Sequence, residues 1–195
     1  MSGLWTVPNL LSAFRLGAAP LLLLLAFNDQ RQAFLWLLAL SFLTDAVDGM
    51  LARSIGQTSR LGARLDSWAD VAVYTVIAIS LFLLWPALVR NEWLAIAAVM
   101  VSFIVPAFAG LLRFGRFTSY HTRLVKVAVA ATSIGLFLML LDVSTWPFRL
   151  AALLAVLAGL EELMITAVLR EERSDVVSLW HVLAEQRRAS GQPPD

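Results

Sequence analysis

Long apolar runs alternate along this chain with short polar breaks, and the lengths of the runs are the first structural signal. A membrane-crossing helix needs roughly 20 mostly apolar residues. Six stretches meet that requirement, at about 10–27, 33–51, 67–88, 93–112, 124–141 and 147–169. The breaks between them read "NDQRQ", "ARSIGQTSRLGAR", "PALVRNEW", "RFGRFTSYHTR" and "DVSTWP", and a polar tail begins at Arg170. Several breaks carry the Pro or Gly that ends helices. The predicted fold is an all-α integral membrane protein of six transmembrane helices, in one domain over residues 1–170. The tail, 171–195, is cytoplasmic, and the composition of its end, "EQRRASGQPPD", is that of a disordered segment.

Ahead of the first span, "WTVPNLLSAFRLG" places Ser12 and Arg15 on the polar side of a short run. It is expected to be a short interfacial amphipathic helix at the inner membrane surface; the competing reading is that it simply extends the first span. The run Leu16–Phe27 resembles a secretory signal but is followed by "NDQ" without a small-x-small cleavage site, so it is read as a retained helix.

Composition agrees with the spans. Of 195 residues, 59% are hydrophobic and 15% charged, against about a quarter charged in a soluble domain. The mean hydropathy is +0.77. There is no cysteine, which excludes disulfides and thiolate metal sites.

Charge then orients the chain. With the N-terminus in the cytoplasm, twelve of the fifteen Lys and Arg fall on the inner side, and only Arg31, Arg90 and Arg149 fall outside. The excess of positive charge belongs inside, so both termini are expected there. Trp36, Trp85, Trp93 and Trp146 fall near the outer ends, where aromatic belts form.

Against that apolar background, "DAVDGMLARSIGQTSRLGARLDSWAD" holds four aspartates. Asp45 and Asp48 are spaced i,i+3 and Asp66 and Asp70 i,i+4, so each pair shares one helix face. The connection is expected to bring the two helix ends together as antiparallel neighbours, at the cytoplasmic boundary. An acid within a span costs on the order of 3 kcal/mol, and crowded carboxylates repel one another. Divalent cations relieve both. Four oxygen ligands without Cys or an adjacent His suit Mg²⁺ or Mn²⁺, and four charges balance two such ions. Gly49 lets a ligand approach the backbone, Ala52 is small, Arg53 offers a fork suited to phosphate, and Gly62 clears further space.

These positions read D-x2-D-G-x2-A-R-x8-G-x3-D-x3-D, and in that pattern the chain resembles the CDP-alcohol phosphotransferases, also called CDP-alcohol phosphatidyltransferases. All eight fixed positions match. The opening "PNLLSAFRL", the six spans and the tail "EELMITAVLREERSDVVSLWHVL" are similar to bacterial members of the phospholipid-synthesis branch. The resemblance implies transfer of a lipid phosphate from CDP-diacylglycerol to an alcohol, with release of CMP. It implies Asp45, Asp48, Asp66 and Asp70 as ligands of two divalent ions, Asp70 also as general base, and Gly49, Ala52, Arg53 and Gly62 around the CDP moiety. It further implies a homodimer in the bacterial inner membrane among membrane lipids, with the active site on the cytoplasmic side and no nucleic-acid partner.

A second cluster, "RFGRFTSYHTRLVK", carries Arg113, Arg116, His121, Arg123 and Lys126 on the same side. The four basic residues are candidates for an acceptor phosphate; the alternative is contact with anionic headgroups. Glycerol 3-phosphate ranks first as acceptor, then inositol phosphate, then serine or another alcohol. Glu161 and Glu162 have no assigned role and are candidates to pair with this cluster. The reading from another class is an ion-binding transporter or membrane scaffold. Transporter ion sites tend to sit at the midplane in repeated halves, and neither feature is visible here.

Overall fold

Helices form where the apolar runs predict them, but several extend well beyond the runs. The computed structural model describes residues 7–55, 60–115 and 122–169, together with Tyr120, Val176, Ser178 and Trp180. Among them are six helices and no strand: α1 (Val7–Phe27), α2 (Arg31–Ile55), α3 (Arg60–Leu84), α4 (Pro86–Phe114), α5 (Arg123–Leu140) and α6 (Trp146–Val168). Hydropathy marks the part of a helix that suits lipid, whereas hydrogen bonding continues into polar sequence. α2 therefore runs four residues past the apolar limit at 51, and α3 starts seven residues before the limit at 67.

α1 is unbroken from Val7 to Phe27, with Pro8 in the first turn, where its missing N–H costs nothing. The described residues thus show one helix in place of the separate interfacial helix that the sequence predicts. Pro86 opens α4 in the same way. The break predicted at "PALVRNEW" is a short helical segment that kinks at Glu92 (φ −113°, ψ 17°) before the main body of α4.

Two of the helix ends are closed by aspartates. Asp29 (φ 53°) and Asp142 (φ 54°) take left-handed backbone, which Asp tolerates better than most residues. Around each, the chain reverses by paired bonds: Asp29 N to Ala26 O and Gln30 N to Leu25 O, then Asp142 N to Met139 O and Val143 N to Leu138 O. Both are Schellman closures with Asp where Gly is usual.

The chain divides into two compact units, residues 1–90 and 91–195. In the first, α1 packs against both α2 and α3. Its buried stripe is Ser12, Arg15, Ala18, Ala19, Leu22 and Ala26, at the three-to-four-residue spacing of one helix face. Phe34 and Leu38 of α2 and Val73, Ile77 and Leu84 of α3 are buried with it, and Phe34 meets Trp85 with ring centroids 5.8 Å apart.

In the second unit α5 packs on α6. Ala128 joins Ala155 and Ala158, with Val99 of α4 packed against the same cluster. Small residues set the spacing, because they let helix backbones approach. A Cβ on Gly159 would lie 2.6 Å from the Ser102 carbonyl oxygen, and one on Gly135 would lie 2.8 Å from the Phe148 backbone. At the far end of this unit the Arg149 guanidinium donates two bonds to the buried Glu92 carboxylate, at 2.7 and 2.8 Å, beside the kink.

Among the described residues, four helices are long and apolar enough to cross a membrane: Leu10–Phe27, Pro86–Phe114, Arg123–Leu140 and Trp146–Val168. α2 and α3 fall outside that set; they carry the four aspartates, and α3 keeps only the shorter apolar stretch Val71–Leu84. Leu21, Leu24 and Phe27 of α1, Phe103 and Phe108 of α4, and Leu150, Leu153 and Leu157 of α6 are all exposed. An exterior that apolar suits a multi-pass membrane protein.

The glycine contacts make a direct prediction. Gly159→Ala drives a methyl group into backbone and should cost about 1–3 kcal/mol. Gly17→Ala, which meets nothing within 4 Å, should be neutral or slightly stabilising, since Ala favours helix over Gly by up to about 1 kcal/mol. Thermal unfolding of both variants in detergent checks the contrast.

Candidate active site

Both acid pairs fall within continuous helix. Asp45 and Asp48 lie in the C-terminal half of α2, and Asp66 and Asp70 in the N-terminal half of α3. At 1.5 Å of rise per residue, the first pair is separated along its axis by about 4.5 Å and the second by about 6 Å. The i,i+3 and i,i+4 spacings therefore hold on real helices.

Residues 56–59, which connect α2 and α3, lie outside the described part, as does the expected pairing of their ends. Among the described residues, the extensive packing that supports these helices runs from α1 to α2 and from α1 to α3. Four of the six residues on the buried face of α1 are small, Ser12, Ala18, Ala19 and Ala26, which lets neighbouring helices approach. The three helices meet at a small cavity lined by Arg15, Ser41, Phe42, Asp45, Val73 and Tyr74. Ser41 stands one turn before Asp45, and Tyr74 one turn after Asp70. The Ser41 hydroxyl is turned back to the Leu37 carbonyl at 2.9 Å, a bond internal to α2.

Arg15 has a role that the sequence pattern does not reveal. The pattern assigns it to the polar side of an interfacial segment. In the structure its side chain is 3% exposed and forms an ion pair with Asp45, whose side chain is 43% exposed. A signal does exist in the sequence: an ionisable residue inside an apolar helix marks a functional contact with a partner. The partner's identity has no such signal, because it lies thirty residues away on another helix.

The remaining predicted residues are placed less fully. Backbone at Asp48, Gly49, Ala52, Arg53, Gly62, Asp66 and Asp70 is helical. The side chains of Asp48, Ala52, Arg53, Asp66 and Asp70 lie outside the described part, so the structure does not bear on whether the four carboxylates converge. Among the described residues, no three His, Cys, Asp or Glu side chains gather around a common point. In donor chemistry the motif fits hard divalent ions, because its acids are all oxygen ligands; Asp45, the one whose side chain is described, is paired with Arg15 and still partly exposed.

Two acids of α6 hold the chain beside the second basic cluster, through groups other than its cations. The Tyr120 amide donates to Glu162 Oε1 at 3.2 Å, and the Thr122 hydroxyl donates to Glu161 Oε2 at 2.8 Å. Thr122 also caps α5 by accepting from the Val125 amide. The Thr166 hydroxyl lies 3.1 Å from the Tyr120 hydroxyl. Tyr120, Ile165, Leu169 and Val176 are buried together around this point. Glu161 and Glu162 thus fasten the connection between α4 and α5 through an amide and a hydroxyl, a role their charges do not announce.

Arg113 donates to the Leu169 carbonyl at 3.0 Å and lies 5.7 Å from the Phe114 ring centroid. Part of its donor capacity is used structurally. Arg123 and Lys126 are exposed on the first turn of α5. Arg116 and His121 lie outside the described residues.

Comparison with known proteins adds a second line. Residues 5–170 match the family described as CDP-alcohol phosphatidyltransferase. The cardiolipin synthase (CMP-forming) of Rattus norvegicus is 44% identical over 78 residues, covering 40% of this chain and 26% of that protein. The CDP-diacylglycerol–glycerol-3-phosphate 3-phosphatidyltransferase of Cereibacter sphaeroides is 30% identical over 145 residues, 67% of this chain and 64% of that one. A cardiolipin synthase (CMP-forming) of Streptomyces coelicolor is 32% identical over 155 residues, 75% of this chain and 71% of its own length. The chain thus spans about a quarter of the rat protein and just under two thirds of the Cereibacter one. No solved structure matches.

The Glu162 anchor is testable. Glu162→Gln keeps an oxygen for the Tyr120 amide and should leave stability nearly unchanged. Glu162→Leu strands a buried N–H and should cost about 1–3 kcal/mol, read as a lower melting temperature of the purified protein.

Proposed function

This chain belongs to the CDP-alcohol phosphatidyltransferase family, and from that premise we propose that it transfers the phosphatidyl group of CDP-diacylglycerol to the hydroxyl of a small polar alcohol, releasing CMP. The observation that carries this reading is the eight-position pattern from Asp45 to Asp70, whose two acid pairs lie within continuous helix on α2 and α3.

The residues divide the work by chemistry. Asp45, Asp48, Asp66 and Asp70 would hold two divalent ions, Mg²⁺ or Mn²⁺, which neutralise the diphosphate and the departing oxygen when bound. Asp70 takes the proton of the acceptor hydroxyl as that oxygen attacks the phosphorus bearing diacylglycerol. The bond from that phosphorus to CMP breaks, and CMP leaves with the electron pair. Arg53 binds the diphosphate, while Gly49, Ala52 and Gly62 keep side chains clear of the CDP moiety.

Glycerol 3-phosphate is the first-ranked acceptor, supported by the name of the Cereibacter relative. Its phosphate would be met by Arg116, Arg123 and Lys126, with Arg113 contributing what its bond to Leu169 leaves. A second reading is cardiolipin formation, favoured by the rat and Streptomyces relatives. The acceptor hydroxyl is then carried by phosphatidylglycerol, and no soluble phosphate needs to be held. The enzyme is read as a homodimer of six-span chains in the bacterial inner membrane, both termini inside. The interfacial site lets a soluble alcohol meet a lipid whose tails stay in the bilayer.

Purified protein given CDP-diacylglycerol with Mg²⁺ or Mn²⁺ should release CMP when offered glycerol 3-phosphate. Phosphatidylglycerol, inositol phosphate and serine complete the panel, and chelation should abolish release. Release that survives chelation, or none with any acceptor, contradicts the proposal. Asp70→Asn should stay folded and lose activity by at least about 100-fold, the lower range for a general base; near-normal CMP release would remove Asp70 from that role.

A further inference from the structure

The pair between α1 and α2 goes beyond the eight-position motif. Arg15 lies on the buried stripe of α1, between Ser12 and the Ala18–Ala19 step, and its guanidinium contacts Asp45 Oδ1. Asp45 is the first acid of the motif. Their burial is unequal, 3% exposure for the arginine side chain against 43% for the aspartate. Here the cation is enclosed, while the partly exposed carboxylate lines a small cavity with Val73 and Tyr74 of α3.

From this geometry we infer that Arg15 is a positioning residue, which fixes the Asp45 carboxylate in the orientation from which it holds a divalent ion. The inference rests on the reading of Asp45 as a metal ligand. Its physical basis is general. A ligating carboxylate works when its own rotamer is fixed by an outer partner. Arginine suits the task because its charge is permanent and its donors lie in a fixed plane, whereas a lysine ammonium is a point charge on a flexible stem. Because α1 also packs on α3, the same residue ties the first acid to the helix that supports the second acid pair.

The test is a Mn²⁺ titration of the full chain in detergent, following free Mn²⁺ by electron paramagnetic resonance, with folding checked by helical circular dichroism. Arg15→Gln should weaken Mn²⁺ binding by about 10–100-fold, the range for removal of an outer-shell partner. Arg15→Lys, which keeps the charge and loses the fork, should fall between that variant and wild type. Arg149→Gln, which removes the bidentate pair with Glu92, should bind Mn²⁺ as wild type does.

Wild-type affinity in folded Arg15→Gln overturns the inference. So does wild-type affinity in Arg15→Lys if Arg15→Gln does not fold. An equal loss in Arg149→Gln also overturns it, since the effect would then be general destabilisation. Asp45→Asn separates the two levels of the reading. If wild type binds no Mn²⁺, or Asp45→Asn binds as wild type does, the metal site itself fails. If Asp45→Asn weakens binding and Arg15→Gln does not, the inference about Arg15 fails alone.

Discussion

A guanidinium carried into an apolar helix must be matched by a carboxylate, and that requirement organises the first unit of this protein. Taking either charge out of water costs several kcal/mol, and removing one partner of a buried pair strands the other. Arg15 and Asp45 meet it together, across α1 and α2. In the second unit one buried acid obeys the same rule and another is met by a neutral group. Glu92, at a kink in α4, is matched by Arg149 in bidentate geometry. Glu162, buried in α6, accepts the Tyr120 amide. Each of these contacts joins residues far apart in sequence, so each fixes one helix or connection against another.

The function proposed for the chain grows from that constraint. Carboxylates near apolar sequence are an electrostatic burden unless cations answer them. A site that accepts divalent ions and a diphosphate turns the burden into binding capacity. α1 contributes by serving as common support for the two acid-bearing helices, which its small inner residues allow. The family match over residues 5–170 shows the family and supports the proposed transfer. The cluster between α4 and α5 divides its groups differently. Arg113 and Glu162 hold backbone groups, while Arg123 and Lys126 stay exposed.

Much of the fold is legible in the sequence because an apolar run of spanning length must satisfy its backbone internally, and a single helix does so. All six predicted stretches correspond to helices, and both acid pairs fall on helix as their spacing requires. Helix ends are not legible, since hydropathy reports lipid compatibility while α2 and α3 continue through Asp, Arg and Gly. The kink at Glu92 and the left-handed Asp29 and Asp142 are local backbone choices that composition does not encode. Arg15 is visible as an anomaly but not as half of a pair, because a partner on another helix is fixed by packing. Glu161 and Glu162 escape a charge count for a related reason. Their partners are a backbone amide and a hydroxyl, groups without formal charge.

Analysis of the lipid product tests the proposed transfer most directly. Vesicles holding the purified protein and CDP-diacylglycerol, supplied with Mn²⁺ and glycerol 3-phosphate, should yield phosphatidylglycerophosphate by mass spectrometry, in step with CMP. Cardiolipin formed from phosphatidylglycerol would keep the transferase chemistry and change the acceptor. CMP accompanied by phosphatidic acid alone, or no new phospholipid with any alcohol, would contradict the proposed transfer.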